Sequence, residues 1–166
     1  MNSIVSILGY VPKKIGVFKT ASLADLPHDL CLFQSLQASF PEASLVWISS
    51  NDARSMLQPF SPAVSDYLQC PDYLNLSPSS FSCFTKAMQQ QKWDVIIQLD
   101  SYDSLLNTWI ETWNPKLLIG YSPSRYSQCK HAFEHAEPYH SFLISQSEPK
   151  GSIQSLLLKS LGIPAS

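Results

Sequence analysis

Neither of the common glycine-rich phosphate loops occurs in this chain. GxGxxG and GxxxxGK(S/T) are both absent, and glycine occurs only five times in 166 residues. Binding of a dinucleotide or of ATP by those devices is therefore disfavoured. Charge is sparse as well. Only 14% of the residues are charged against 45% hydrophobic, the reverse of the balance that keeps a chain disordered. The net charge is −2 and the pI about 6.0, so no global basic field exists to attract nucleic acid or anionic lipid. No Cys-x-x-Cys pair occurs. Cys31, Cys70, Cys83 and Cys129 are irregularly spaced, which reads as reduced thiols in a cytosolic protein rather than a disulfide framework. Cys129, His131, His135 and His140 are close in sequence. Without Cys-x-x-Cys or HExxH beside them they are not read as a zinc site, and no metal or cofactor is expected.

Long apolar runs are missing too. None approaches the roughly 18 residues of a spanning helix. The opening MNSIVSILGYVPKK places its lysines after its apolar stretch, whereas a secretory signal places them first. The expectation is a cytoplasmic protein with at most peripheral contact at the inner face of a membrane. The length suits one domain with one sizeable core and is too short for two full Rossmann units.

What is present alternates short β-type runs with helical stripes. Strands are expected at 15–20 (IGVFKT), 44–49 (SLVWIS), 94–99 (DVIIQL) and 116–121 (KLLIGY), with a further one at 141–145 (SFLIS). Residues 94–99 form a continuous apolar run, as suits a strand covered on both faces. Leu26, Leu30, Phe33, Leu36 and Phe40 recur near a 3.6 period, the signature of an amphipathic helix. Pro27 falls in its first turn and Pro41 ends it. Leu105, Leu106, Trp109, Ile110 and Trp113 mark another helix whose tryptophans are core residues. A helix is expected at about 80–92. Asn51 or Asp52 can cap a short one through Leu57, and a helix is also read at 125–136. The proline- and serine-rich stretch 58–80 reads mostly as loop, with a short strand near 73–76. At the end, Ser152 caps a helix with the stripe Ile153, Leu156, Leu157 and Leu161, stopped by Gly162 and Pro164. Strands alternating with helices of this length imply parallel βαβ units. The expected fold is a three-layer, mainly parallel α/β sandwich of the Rossmann type, in a single domain over 1–166.

In such a sheet, ligands gather beyond the carboxyl ends of the strands, at helix N-termini. Two junctions there carry chemistry. After the first strand, Lys19-Thr20-Ala21-Ser22-Leu23-Ala24-Asp25-Leu26-Pro27-His28 gathers a cation, two hydroxyls, a carboxylate and an imidazole. At the end of the 94–99 run, read as the most buried strand, and just beyond it lies Gln98-Leu99-Asp100-Ser101-Tyr102-Asp103. The candidate site comprises Lys19, Thr20, Ser22, Asp25, His28, Asp100 and Ser101. Arg125, beyond the 116–121 strand, is a candidate for an acceptor phosphate, because a guanidinium suits bidentate phosphate contacts. The plainer readings are that Asp25 is a helix cap and that Lys19, Ser22, His28 and Arg125 are solvated surface residues.

Three stretches in order resemble glycosyltransferase family 9, the lipopolysaccharide heptosyltransferases. The run KTASLADLPHDLCLFQSLQASFPEASLVWI is similar to the family's Lys/Arg-Thr/Leu-Ser-x-x-Gly-Asp loop, helix, Phe-Pro and second strand. WDVIIQLDSYDSLLNTWIETWNPKLLIGY is similar to Phe-Asp-x-Val-Ile-Asp-x-Gln-Gly, a helix and Ile-Gly-Phe/Tyr. IQSLLLKSLGIP is similar to the helix and Leu-Gly-Ile-Pro closing the first domain. The resemblance covers about residues 14–164. It implies the N-terminal, acceptor-binding half of a GT-B enzyme, whose second domain binds the nucleotide sugar, usually ADP-heptose. It assigns Asp25 the role of the base that deprotonates the acceptor hydroxyl in an inverting, metal-independent transfer. In the branch transferring the first heptose, a histidine lies three residues after that aspartate, as His28 does here. Ala24 stands where the family usually has Gly, and Gln98, Asp100 and Ser101 stand where it has Asp, Gln and Gly.

The partners implied are a glycan or glycolipid acceptor and a donor-domain partner chain or second copy, with no nucleic acid. By itself the chain is expected to be inactive. The alternative reading is a non-catalytic Rossmann-like binding or assembly module of the same descent. A flavodoxin-like phosphate-accepting domain would want adjacent acids after the first strand, and residues 19–24 have none.

Overall fold

The computed structural model describes residues 3–20, 26–50, 64–72, 75–100, 104–122, 140–145, 158 and 161–164. In chain order the elements are α1 (Ser3–Leu8), β1 (Lys14–Phe18), α2 (Leu26–Ser39), β2 (Ser44–Ser49) and β3 (Asp66–Gln69). They continue with α3 (Pro78–Gln90), β4 (Val95–Gln98), α4 (Ser104–Glu111), β5 (Leu117–Ser122) and β6 (His140–Ser145). The strands form one sheet in the order β3-β2-β1-β4-β5-β6. Every neighbouring pair is parallel. This is the parallel α/β layout expected from the sequence.

Strand periodicity sorts the apolar residues onto two faces. From β1, Ile15 and Val17 enter one core cluster while Phe18 enters the other; β4 likewise sends Val95 and Ile97 one way and Ile96 the other. The first cluster contains Ile4 of α1 and Leu32, Phe33 and Leu36 of α2. The second contains Met88 of α3 and Leu106, Trp109 and Ile110 of α4, with Trp93 and Trp113. Helices therefore cover both faces of the sheet. Trp109 and Trp113 meet edge-on with ring centroids 5.2 Å apart, and Phe18 meets Trp113 at 5.8 Å. The packed interior, rather than a sugar-stacking surface, is where these indoles lie.

Three local features differ from the sequence expectations or were not anticipated by them. The opening apolar run folds as α1, because its Ile4 docks into the first cluster. The short strand of the proline-rich stretch is β3 at Asp66–Gln69, upstream of 73–76. It forms there through parallel pairing with β2, from Val46↔Asp66 to Ser49↔Gln69. Helix α3 begins at Pro78, because Ser77 is its N-cap and Pro78 fills the first turn, where a missing N–H costs little. The helices expected after Asn51 and at 125–136 lie outside the described residues, as do Ile153, Leu156 and Leu157. Leu158, Leu161 and Ile163, by contrast, are buried in the first cluster. No helix among the described residues is long and apolar enough to cross a membrane.

The amino ends of β1, β4 and β5 are joined by one carboxylate. Asp94 accepts from Tyr10 Oη at 2.7 Å, from the backbone nitrogens of Lys13 and Lys14 at 2.8 and 3.1 Å, and from Lys116 Nζ at 3.2 Å. This knot lies at the edge of the sheet opposite the candidate site.

Candidate functional site

The strand order reverses between β1 and β4. From β1 the chain proceeds through β2 to β3 on one side, then crosses to β4 and proceeds through β5 to β6 on the other. Ligand crevices in open parallel sheets form at the carboxyl side of such a switch point. Here the two junctions singled out in the sequence follow β1 and β4, the two central strands, so both open at that point.

Backbone pairing persists past the ends of the strands. Lys19 N donates to Ile48 O at 2.9 Å, and Leu99 N donates to Phe18 O at 2.9 Å. Thr20 is then gripped from both sides. Its backbone nitrogen donates to Asp100 Oδ2 at 2.7 Å, and its hydroxyl donates to the same oxygen. Its carbonyl accepts from Ser50 Oγ at 3.1 Å. The threonine is thus held by the residues that follow β4 and β2, the two neighbours of its own strand.

Lys19 does not extend into solvent. Its side chain is 6% exposed, and Nζ lies 2.8 Å from Oδ2 of Asp29, which is fully buried in the first turns of α2. A carboxylate there is favoured by the partial positive charge of the helix N-terminus, and the ammonium completes its neutralisation. Asp29 is not among the residues that the sequence singles out, although a signal exists. It lies four residues before Phe33 and seven before Leu36, so it falls on the apolar face of the helix, where a charge demands a partner.

Gln98, at the end of β4, lies opposite Phe18 in register and is 1% exposed. Neither atom of its carboxamide has a hydrogen-bond partner among the described residues. On the β2–β3 side of the sheet, Cys70 N donates to Ser49 O at 2.7 Å. Burial and the Asp72 carboxylate push the Cys70 thiol up to about 12, so it stays protonated and is no nucleophile.

Of the sequence candidates, the structure brings together Lys19, Thr20 and Asp100. His28 lies in the first turn of α2, with its side chain outside the described residues. Ser22, Asp25, Ser101 and Arg125 lie outside the described residues as well. Among the described residues no group of three or more His, Cys, Asp or Glu side chains could hold a metal ion. The described site can offer hydroxyl and carboxylate oxygens at the switch point, with Lys19 already engaged by Asp29.

No family model matches the chain, and no curated protein matches it in sequence. Solved structures do match. A glycosyltransferase of family 9 from Veillonella parvula superposes with a TM-score of 0.65 at 12% identity, over 92% of this chain and 42% of its own. The E. coli heptosyltransferase WaaC, solved with ADP-2-deoxy-2-fluoro heptose, superposes with a TM-score of 0.59 at 15% identity, over 92% of this chain and 50% of its own. At these identities the likeness is one of fold. The chain spans half the length of these structures or less. The kind of protein that the sequence motifs resemble is the kind that the fold matches.

Proposed function

We propose that this chain is the acceptor-binding domain of a family 9-type glycosyltransferase. A nucleotide-sugar-binding domain would complete it, on this chain or on a partner. The observation that carries this reading is the joining of the two motif-bearing junctions at the switch point by the Thr20–Asp100 hydrogen bonds, in a fold shared with two such enzymes. Asp25, five residues after Thr20 in the sequence, is the proposed base. It would take the proton from an acceptor hydroxyl as that oxygen attacks the anomeric carbon of the donor sugar. His28, Ser22 and Ser101 are proposed to line the acceptor side, and Arg125 to meet an acceptor phosphate. Because Lys19 is neutralised by Asp29, the part of the acceptor nearest β1 is read as a hydroxylated sugar face rather than a phosphate.

The cell location consistent with this role is the cytoplasm, with peripheral access to a glycolipid. The test has two arms. Saturation-transfer NMR of the chain with lipopolysaccharide inner-core oligosaccharide should show binding. With a donor-binding domain supplied, transfer from ADP-heptose should fall by about 10²–10⁴-fold in Asp25→Asn. Absence of oligosaccharide binding, or full activity in Asp25→Asn, refutes the reading. The chain alone should show no transfer, since the reaction needs donor and acceptor held together.

A further inference from the structure

We propose that the carboxamide of Gln98 is a binding group, one that reads a hydroxyl of the acceptor sugar beside Gly120. This rests on the reading of the chain as an acceptor-binding domain. Gln98 is 1% exposed, and neither its Nε2 nor its Oε1 has a hydrogen-bond partner among the described residues. The sheet sets its place. It ends β4, one of the two central strands, and pairs in register with Phe18 at the end of β1. Ile96 and Phe18 both belong to the second cluster, so strand alternation turns Gln98 to that same face. Asp100, whose carboxylate accepts from Thr20, is two residues further along the chain. The unpaired amide therefore lies just inward of the contact that joins the two junctions.

The neighbouring strand leaves room at this level. On β5 the residue beside Gln98 is Gly120. A Cβ placed there would lie 3.8 Å from Gln98 Cβ and 3.9 Å from Gln98 O. Apart from the glycine's own chain neighbours, no other atom of the described residues comes within 4 Å of it. Gly16 of β1 is the contrast, because there Ile48 and Trp93 already reach to 3.0 Å of the same position. The missing side chain of Gly16 admits core atoms, whereas that of Gly120 opens the flank of the amide.

An unpaired buried amide costs stability, and the cost is recovered when a suitable group reaches it. The carboxamide offers two N–H donors and a carbonyl acceptor, so its match is a group that both donates and accepts. A neutral hydroxyl does both. A phosphate or carboxylate does not fit, since a neutral amide cannot offset the desolvation of a full charge. Pairing in a dry place also discriminates: a ligand without the hydroxyl leaves the amide unpaired and is rejected strongly. Because the amide is closed to solvent, binding opens the structure over Gly120 and should be slower than diffusional capture.

NMR titration of the purified chain with lipopolysaccharide inner-core oligosaccharide tests this. The side-chain amide signals of Gln98, identified by their loss in Gln98→Leu, should shift as the oligosaccharide is added. Gln98→Leu removes the polar atoms, and Gly120→Ala fills the flank with a methyl group at ordinary contact distances. Each should weaken binding by about tenfold or more, and Gln98→Leu should do so without lowering the melting temperature. The two variants act by different means, so misfolding of one leaves the other to decide. An unmoved Gln98 amide signal, or parent affinity in the folded variants, overturns the inference and leaves oligosaccharide binding by the domain standing. Affinity lost only together with a lower melting temperature marks a structural amide and overturns it too. A parent chain that binds no oligosaccharide fails at the earlier reading and takes this one with it.

Discussion

Tyr10 Oη lies 2.7 Å from Asp94 Oδ1, a hydrogen bond between residues 84 positions apart. Burial works against ionisation of Asp94. The donors Tyr10, Lys13 N, Lys116 and Lys14 N outweigh it and hold the carboxyl below the usual range. A carboxylate whose folded pKa is depressed contributes stability that is present above its unfolded pKa and lost as pH falls through the folded value. The chain should therefore lose stability progressively below about pH 4. Asp94→Asn should cost about 1–3 kcal/mol at pH 7 and flatten the acid limb. Urea unfolding at pH 7 and pH 3 on both proteins measures this. If the Asp94→Asn variant keeps the pH slope of the parent, the acid response originates elsewhere.

Gly16 should not tolerate a methyl group. A Cβ there would lie 3.0 Å from Ile48 Cδ1 and 3.0 Å from Cζ3 of Trp93. Both neighbours are fully buried in the second cluster, so neither can swing into solvent. Overpacking of this kind typically costs about 1–3 kcal/mol, and Gly16→Ala should lower the denaturation midpoint accordingly. A neutral or stabilising result would mean that the indole shifts freely, against the close packing described.

Much of this architecture is legible in the sequence, for identifiable reasons. VIIQ reads as a strand because a central parallel strand is buried on both faces and needs no alternation. DYLQ does not, since its burial is partial and its identity as β3 comes from pairing with β2, a contact far away in sequence. SIVSIL is too short to announce a helix by its period; docking of Ile4 creates α1. At the site, Lys19, Thr20 and Asp100 stand out because they follow strands that open on one edge. Their couplings do not. Composition and spacing place Lys19 at a ligand edge, but only the register of α2 against β1 reveals that Asp29 takes its charge. Asp29 escapes a reading by helix N-termini because that reading favours the residue before the first turn, Asp25.

Gln98 offers a stability test that is independent of function. Its carboxamide is buried without a partner among the described residues, and an unsatisfied buried polar group costs about 1–3 kcal/mol. Gln98→Leu keeps the approximate volume and removes the polar atoms. It should raise the unfolding free energy by about 1 kcal/mol, read as a higher urea midpoint at unchanged slope. A lower midpoint would mean that the amide is satisfied in solution, by an ordered water bridging it to the backbone.

Three apolar residues between positions 158 and 163 are part of the core. Leu158, Leu161 and Ile163 are each at most 2% exposed and belong to the first cluster with Ile4, Leu32, Phe33 and Leu36. Gly162 between them has φ +66°, the left-handed conformation that ends helices at low steric cost. Its turn carries Ile163 back onto the domain, where Ile163 N donates to Leu158 O at 2.9 Å. Full burial of such side chains is worth about 1.5–3 kcal/mol each, against a total stability of about 5–15 kcal/mol for a domain of this kind. Removing residues 152–166 should therefore remove a large share of the net stability and expose a hydrophobic face. The shortened chain should melt well below the parent or self-associate, as read by calorimetry and sedimentation velocity. Gly162→Val, which forces a β-branched residue into the same positive φ, should reproduce part of the loss without shortening the chain. A truncated chain that melts and sediments like the parent would show that the closing segment adds nothing to the fold, contrary to the burial of its three apolar side chains.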